Sequence, residues 1–177
     1  MTRQPTFETE RLVLRPYRDG DRASFIALHT DQVVRQYMKG PLPLDVANER
    51  FKQHLNRIDG FPMSWAITRK GHDEFIGRVS LFESAAGGGR DVANYGRVEL
   101  GYLLAEQYWG LGFATEAVKR IMEFALSDLS LPCIVADVDL NHHASRRVLE
   151  KCGFTWRSRG IDEHGEYDVF RIQGPAG

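Results

Sequence analysis

The sequence has no apolar run approaching the roughly twenty residues that cross a bilayer, and its first residues, MTRQPTFETERLVLRP, lack the apolar segment of a secretory signal. Both absences predict a soluble, cytoplasmic protein with no membrane partner. Charge of one sign is not in excess either: 23 Lys plus Arg stand against 24 Asp plus Glu, a net charge of −1. No broad field draws nucleic acid or anionic lipid, so neither is an expected partner and any polyanion has to be met locally. Cysteine is scarce. Cys133 and Cys152 have neither CxxC spacing nor a disulfide-rich context, so free thiols are expected and redox chemistry is not. His142 and His143 are adjacent and therefore point apart, unlike a spaced ligand set, and no metal is expected.

Repeats, low-complexity tracts and long linkers are also lacking, and residues 1–177 read as one domain. The loosest stretch, SAAGGGRDVANYG at 84–96, reads as a mobile loop inside it. What is present is a hydrophobic content of 42%, enough in a chain of 177 residues for one good core. Leu12 and Leu14 alternate with Val13 and Arg15 in a first strand, followed by a helix from Arg22 that Asp19 or Asp21 would cap. A second helix is expected over Leu44 to Arg57, with Gly60 beyond its end. WAIT and FIGRVSLFE then flank the turn KGHD as a hairpin, and VELGYLL, Val98 to Leu104, is the next strand. Ala114, Ala117, Val118, Ile121, Met122 and Ala125 recur at the spacing of one helical face. CIVADVDL reads as a buried strand, ASRRVLEKC as a helix ended by Gly153, and two strands close the chain around the turn DEHGE. This order predicts an α/β (α+β) domain: a mixed, mostly antiparallel sheet of six to seven strands with four helices and one strand–helix–strand crossover after Leu104.

The stretch EQYWGLGFATEA places Gly110 and Gly112 between a strand and the most regular helix. Unpaired amides and the positive end of the dipole make a helix start an anion site, and glycines let phosphate oxygens come close to the backbone; a tight turn is the alternative use. A P-loop would need Gly-Lys-Ser/Thr, but Phe113 and Ala114 follow Gly112. A dinucleotide fingerprint would place Gly or Ala where Thr115 stands.

QYWGLGFA resembles Gln/Arg-x-x-Gly-x-Gly/Ala, the acetyl-CoA pyrophosphate loop of the GNAT superfamily of N-acetyltransferases, with Gln107, Gly110 and Gly112 in the fixed positions. TERLVLRP, IGRVSL, VELGYLL, YWGLGFATEA and ASRRVLEKCGF follow one another as in the RimJ/RimL-type, ribosomal-protein N-terminal acetyltransferase branch, over nearly the whole chain. The resemblance implies the GNAT fold and direct transfer of an acetyl group from acetyl-CoA to an amine. It implies cofactor contacts at Leu103, Leu104, Gln107, Gly110, Leu111, Gly112, Phe113, Ala114 and Thr115, with main-chain groups of Leu103 and Leu104 on the pantetheine arm and acetyl carbonyl. A homodimer is common among such enzymes.

Glu99 is the expected base, since an amine attacks only when neutral and its proton needs a route out; the alternative is an ordinary sheet-face glutamate. Ser145 is the expected weak donor to the leaving thiolate, with an N-cap or first-turn hydroxyl of its helix as the alternative. The branch motif has Asn three residues before this Ser, but His142 stands there and Asn141 one place earlier, so Asn141 or His142 is expected to take the pantetheine contact. Cys152 reads as a packed thiol rather than an acetyl carrier. For the acceptor, a protein N-terminal α-amine leads; a polyamine or antibiotic amine, or a non-catalytic acyl-CoA-binding regulatory module, are the alternatives. Asp162, Glu163, Glu166 and Asp168 are either an acidic rim drawing a cationic amine or a plain hairpin turn. Tyr37, Met38 and Trp65 are candidates for the acceptor pocket or for core.

Overall fold

The computed structural model describes residues 4–56, 62–83, 98–162 and 165–174. Strands β1 (Phe7–Glu8), β2 (Leu12–Arg15), β3 (Met63–Arg69), β4 (Glu74–Glu83), β5 (Val98–Leu104), β6 (Cys133–Asp139), β7 (Thr155–Asp162) and β8 (Gly165–Gln173) form one sheet in the order β1-β2-β3-β4-β5-β6-β8-β7. Every neighbouring pair is antiparallel except β5 and β6. The helices are α1 (Arg22–Thr30), α2 (Leu44–Leu55), α3 (Phe113–Glu123) and α4 (His143–Lys151). This is the expected mixed α/β architecture, with one strand more than expected: β1, at two residues, is too short to show a period.

Alternation decides which face each strand gives to which helices. Leu12, Leu14, Trp65, Ile67, Val79, Leu81, Leu100, Ile134, Ala136 and Phe170 point to one face and form the main core with Ala117, Val118, Ile121 and Met122 of α3 and Leu149 of α4. The side chains between them point to the other face, where α1 and α2 seal only two small clusters, one around Tyr17, Phe25, Phe51 and Ala66, the other around Leu28, Val34 and Leu103. Fully burying one large apolar side chain contributes about 1.5–3 kcal/mol, so the first face carries most of the folding energy and the second is left room for polar groups.

Helix α1 starts at Arg22 as expected, but its cap bond and the end of α2 differ from expectation. Asp21 does occupy the N-cap position of α1, but its carboxylate makes no cap bond. Its two oxygens accept from Nη1 and Nη2 of Arg15, each at 2.8 Å, and one also accepts from the Arg18 N–H. A buried guanidinium left unpaired costs more than a lost cap. Helix α2 ends at Leu55, and the expected Gly60 beyond it, like the loop at 84–96, lies outside the described residues. Helix α3 presents the expected face and runs on into a π-turn, Phe124–Asp128, in which Leu129 N–H reaches back to Phe124 O at 3.0 Å. Gly153, at φ +87°, stops α4 as a left-handed residue should, with Phe154 N–H donating to Leu149 O.

The parallel ladder of β5 and β6 is limited to one pair, Glu99 opposite Val135. Beyond it the strands part, and α3 and α4, which follow these two strands, begin on either side of the gap. Carboxyl ends of adjacent parallel strands are where α/β sheets bind ligands.

Candidate active site

The glycine turn has the backbone that its sequence demands. Gly110 lies at φ +73° and Gly112, the N-cap of α3, at φ +82°. A residue with a Cβ is strained there by about 1–2 kcal/mol. A Cβ on Gly110 would meet no atom within 4 Å, so the turn faces open space that a ligand can enter. Glu116 N–H is the first to bond inside the helix, to Gly112 O at 3.0 Å. The amides of Phe113, Ala114 and Thr115 have no carbonyl one turn back, and together with the dipole they favour an anion.

The turn is held from behind by a contact that the sequence did not reveal. Glu116 accepts hydrogen bonds from Thr9 Oγ1 at 2.6 Å, Arg11 N at 2.8 Å and Arg11 Nε at 2.7 Å. Arg11 Nη1 donates to Leu111 O at 2.9 Å, and the guanidinium lies over the Phe113 ring. Burial raises the Glu116 carboxyl, but the Thr9 and Arg11 donors outweigh it and leave the group below the usual carboxylate range. An acid in the first turn of α3 is thus neutralised before a phosphate arrives. The signal was available in outline, since Thr9 and Arg11 before β2 and Thr115 and Glu116 of α3 are polar residues beside apolar runs, but nothing local pairs them.

A cleft of about 500 Å³ runs from this turn to the start of α4. Of the expected cofactor contacts, Leu103, Leu104, Gly110, Gly112, Phe113, Ala114, Thr115, Asn141, His142 and Ser145 line it. Gln107 and Leu111 do not: Gln107 is exposed on a 3₁₀ turn, Glu106–Tyr108, and Leu111 points its side chain to solvent while its carbonyl holds Arg11. The two leucines are not equivalent. Leu103 is paired with Arg78, and its carbonyl points at β4, where only a glycine fits: a Cβ on Gly77 would lie 2.3 Å from that oxygen. Strand alternation then turns the main chain of Leu104 into the gap towards β6, and the Leu104 carbonyl accepts from Trp109 Nε1 at 2.8 Å. Only Leu104 therefore offers its amide to the cleft, which corrects the expectation for Leu103; the Leu103 side chain is what reaches it.

At the other wall, Ser145 is the third residue of α4, not its cap; His142 holds that position. The Ser145 hydroxyl lies 2.7 Å from the Tyr102 hydroxyl, which also reaches Ser145 O at 3.2 Å. Tyr102 was not expected at the site. Burial raises its phenol above the ordinary value, so it stays protonated. Asn141 and His142 both reach the cleft because Asp139 folds the turn tightly, accepting from Asn141 N–H on its side chain and from His142 N–H on its carbonyl. The His142 ring stacks on Tyr37, with centroids 4.4 Å apart, and bridges α4 to the segment after α1. Burial, with His143 adding to it and Asp139 opposing, lowers its pKa and favours the neutral ring. Arg147 and Lys151, one helical turn apart, also line the cleft and supply the cations that an acidic ligand needs. Cys152 donates to Thr115 O at 3.6 Å, and burial pushes its thiol up to about 11, as for a packed thiol.

Glu99 sits where the ladder stops, half-buried, on the face opposite Leu100 and Tyr102. Beyond the parting, Asp137 of β6 shares that face. Burial, with Asp162 adding to it, pushes its carboxyl up to about 6, even though much of the side chain is open to solvent. The sequence did not single out Asp137, because in VADVD it looked like any polar position of a strand. Of the four acids of the last turn, Asp168 is 1% exposed and is taken up by Arg146, Arg159 and Trp156 Nε1, Asp162 and Glu166 are exposed, and Glu163 lies outside the described residues. Trp65 is fully buried in the main core and Met38 packs on the cluster around Leu103, so of the three proposed acceptor residues only Tyr37 reaches the cleft.

Residues 11–155 match the family model described as an acetyltransferase (GNAT) domain. The chain is 30% identical, over 159 residues, to the uncharacterized N-acetyltransferase YoaA of Bacillus subtilis, covering 85% of this chain and 82% of that one. Two solved structures share its fold. Spermidine N-acetyltransferase from Vibrio cholerae, in complex with CoA and spermine, superposes with a TM-score of 0.76 at 19% identity over 93% of this chain and 96% of that one. The ribosomal-protein-S5-alanine acetyltransferase from Vibrio fischeri does so with a TM-score of 0.77 at 15% identity over 97% and 98%. With a cleft suited to an acidic, nucleotide-linked ligand at the parting of two parallel strands, the chain belongs to the GNAT acetyltransferase family and is an acetyl-CoA-dependent acyltransferase.

Proposed function

We propose that the protein moves an acetyl group from acetyl-CoA directly to a primary amine, with the α-amine of a protein N-terminus as the leading acceptor. One observation carries the reading: the parallel ladder stops at Glu99, and the glycine turn with its three unpaired amides and the Tyr102–Ser145 pair face one cleft; Glu99 itself is not among the residues that line it. The diphosphate docks on the amides of Phe113, Ala114 and Thr115, and Arg147 and Lys151 answer the remaining phosphate charge. The Leu104 N–H is aimed into the gap and stabilises charge on the thioester oxygen as the amine attacks. Glu99 receives the amine's proton, with Asp137 as a second acceptor on the same face; a carboxyl near 6 is ionised at neutral pH and still basic enough to serve. When Tyr102 donates to Ser145 Oγ, the serine proton is free for the leaving thiolate, so the pair works as a short relay. Cys152, protonated and bonded to Thr115, takes no part, which leaves transfer direct.

The N-terminal acceptor rests on likeness to the ribosomal-protein-S5-alanine acetyltransferase, and a small-molecule amine, as in spermidine N-acetyltransferase, is the second reading. Asp168, committed to Arg146 and Arg159, is not open to a polyamine. The test is release of free CoA thiol with N-terminal peptides, polyamines and aminoglycosides as acceptors. Peptide-dependent release is expected; tight CoA binding without release from any acceptor would mean a binding module instead.

A further inference from the structure

The face of the sheet under α1 and α2 holds an arginine that makes no ion pair among the described residues. Arg78 of β4 donates from Nη1 to Ser80 Oγ at 2.7 Å, and its buried Nε has no partner among the described residues. Other arginines are paired: buried Arg15 is answered by Asp21 and Asp73, and Arg146 and Arg159 share Asp168. Among the described residues, the ionisable groups that bear on Arg78 are Tyr17 and Arg50. Arg35 is 5% exposed and spends its donors on the carbonyls of Gly40 and Met38 and on His29 Nδ1. His29 Nε2 is also buried without a partner, and burial with nearby Arg78, Arg35 and Arg50 pushes this imidazole down to about 2, so it adds no charge. A guanidinium kept partly out of water with an unmet donor is costly unless an anion completes it.

Register places Arg78 on the face of the sheet that carries Glu99. It lies opposite Leu103, Ser80 lies opposite Gly101, and Phe82 lies opposite Glu99, all on one face. Gly101 itself adds no side chain there, and the edge of the Phe82 ring takes up that space, 2.9 Å from where a Cβ would lie. The charges on this face divide: Glu99 and Asp137 on β5 and β6, Arg78 and Arg35 under the helices. An amine proton is lost on the first side, and the second side suits an anion attached to the same molecule. Resting on the acetyltransferase reading, we propose that the acceptor is an amine that also carries a carboxylate, held by the free edge of Arg78. The Nε and Nη2 edge of a guanidinium is a two-donor fork matched to the two oxygens of a carboxylate. That carboxylate is either the α-carboxylate of a free amino acid or the side chain of an acidic first residue on a peptide.

The experiment compares matched acceptors in the CoA thiol-release assay: free amino acids against their carboxamides, and peptides beginning with Asp or Glu against those beginning with Asn or Gln. A tenfold or greater preference in kcat/KM for the carboxylate member is expected in one arm, which identifies the source. Arg78→Met should bring that ratio close to one, and Arg78→Lys should keep part of it. Equal rates for the two members, or a ratio unchanged in Arg78→Met, overturns the proposal. Absence of release from every acceptor would defeat the acetyltransferase reading instead. Calorimetry on the CoA-loaded protein would then decide the carboxylate site alone: tighter binding of the carboxylate member to wild type but not to Arg78→Met supports it, and equal binding overturns it.

Discussion

The two ends of the active cleft solve the problem of placing charge in opposite ways. At the glycine turn the acid of the first helical turn is answered from within the chain: Glu116 by Arg11, with Thr9 and a backbone amide completing the carboxylate. What is left open there is mainly backbone, three amides and a dipole, with Arg147 and Lys151 of α4 on the same cleft, which fits a ligand part common to every turnover. On the acceptor side the backbone is closed into the sheet and the side chains are left open, with the Arg78 Nε unmet among the described residues and Asp137 driven up to about 6. A site for an invariant ligand can be built from main chain and pinned rigidly, whereas a site for a selective ligand is built from side chains held at an energetic cost until it arrives.

The sharpest break of that contrast is at the carboxylates. Loss of a general base costs about 10²–10⁴-fold. Glu99→Gln and Asp137→Asn should therefore differ strongly, one losing at least about a hundredfold in kcat and the other little. If Asp137 takes the proton, kcat/KM rises with pH through about 6 and the rise disappears in Asp137→Asn. The same variant has a stability signature. A carboxyl raised from 3.8 to about 6 on folding binds more protons in the folded than in the unfolded chain between those values, so stability falls as pH rises through that window. Asp137→Asn should melt above wild type at pH 7, and the difference should vanish below about pH 4, by calorimetric scans. A variant that melts alike at both pH values would remove the strain assigned to this side chain.

Next in size is the main-chain end. Gly110→Val adds a β-branched side chain at φ +73° and fills the space in front of the amides. Strain of about 1–2 kcal/mol and loss of close phosphate approach together should weaken CoA binding by about a hundredfold. The acceptor KM should change far less, because the acceptor face lies across the sheet. Calorimetric titration with CoA measures the first, and a KM shift as large as the Kd shift would show that the two ends are not separable.

Much of this division was legible in the sequence on the cofactor side and little of it on the acceptor side. Gly110, Gly112 and the apolar stripe of α3 are local signals, since backbone geometry and helical period are set by residues close in the chain. Ser145 was legible as a position but not as a state: it lies in the first turn of α4, as its alternative had it, yet not at the cap, which His142 holds, and Tyr102, forty-three residues earlier, reaches its hydroxyl. Asp168 was read with its sequence neighbours in the turn, yet its pairing with Arg146 depends on how α4 packs over β8, which no local pattern encodes. Arg78 gave no signal at all. What distinguishes it is the lack of an ion pair among the described residues, and that is visible only when its surroundings are known.

The clasp behind the glycine turn is expected to give a smaller effect that links the two ends. Glu116→Ala leaves Arg11 N–H and Thr9 Oγ1 without their acceptor, at about 1–3 kcal/mol, and frees the guanidinium that holds Leu111 O. CoA affinity should fall by roughly tenfold through looser placement of the turn. Because the carboxyl is lowered in the folded state, its contribution is complete above the ordinary carboxylate range and is lost as pH falls through the folded value, so wild type and Glu116→Ala should converge in strong acid.

The smallest effect is expected at the Tyr102–Ser145 pair. A CoA thiol near 8.5 is a good leaving group at neutral pH and needs little help, so Ser145→Ala should lower kcat less than about tenfold and leave KM for acetyl-CoA nearly unchanged. Tyr102→Phe should behave alike if the two hydroxyls act as one relay, and the double variant should then be no slower than either single one. If the double variant instead multiplies the two losses, Tyr102 acts on its own. The pair joins the main-core face to the cleft wall, because the tyrosine leaves β5 on the side of α3 and α4 and meets the serine from beneath. Additive losses would therefore assign the phenol to packing under α4 and leave the serine hydroxyl as the single proton donor on that side of the cleft.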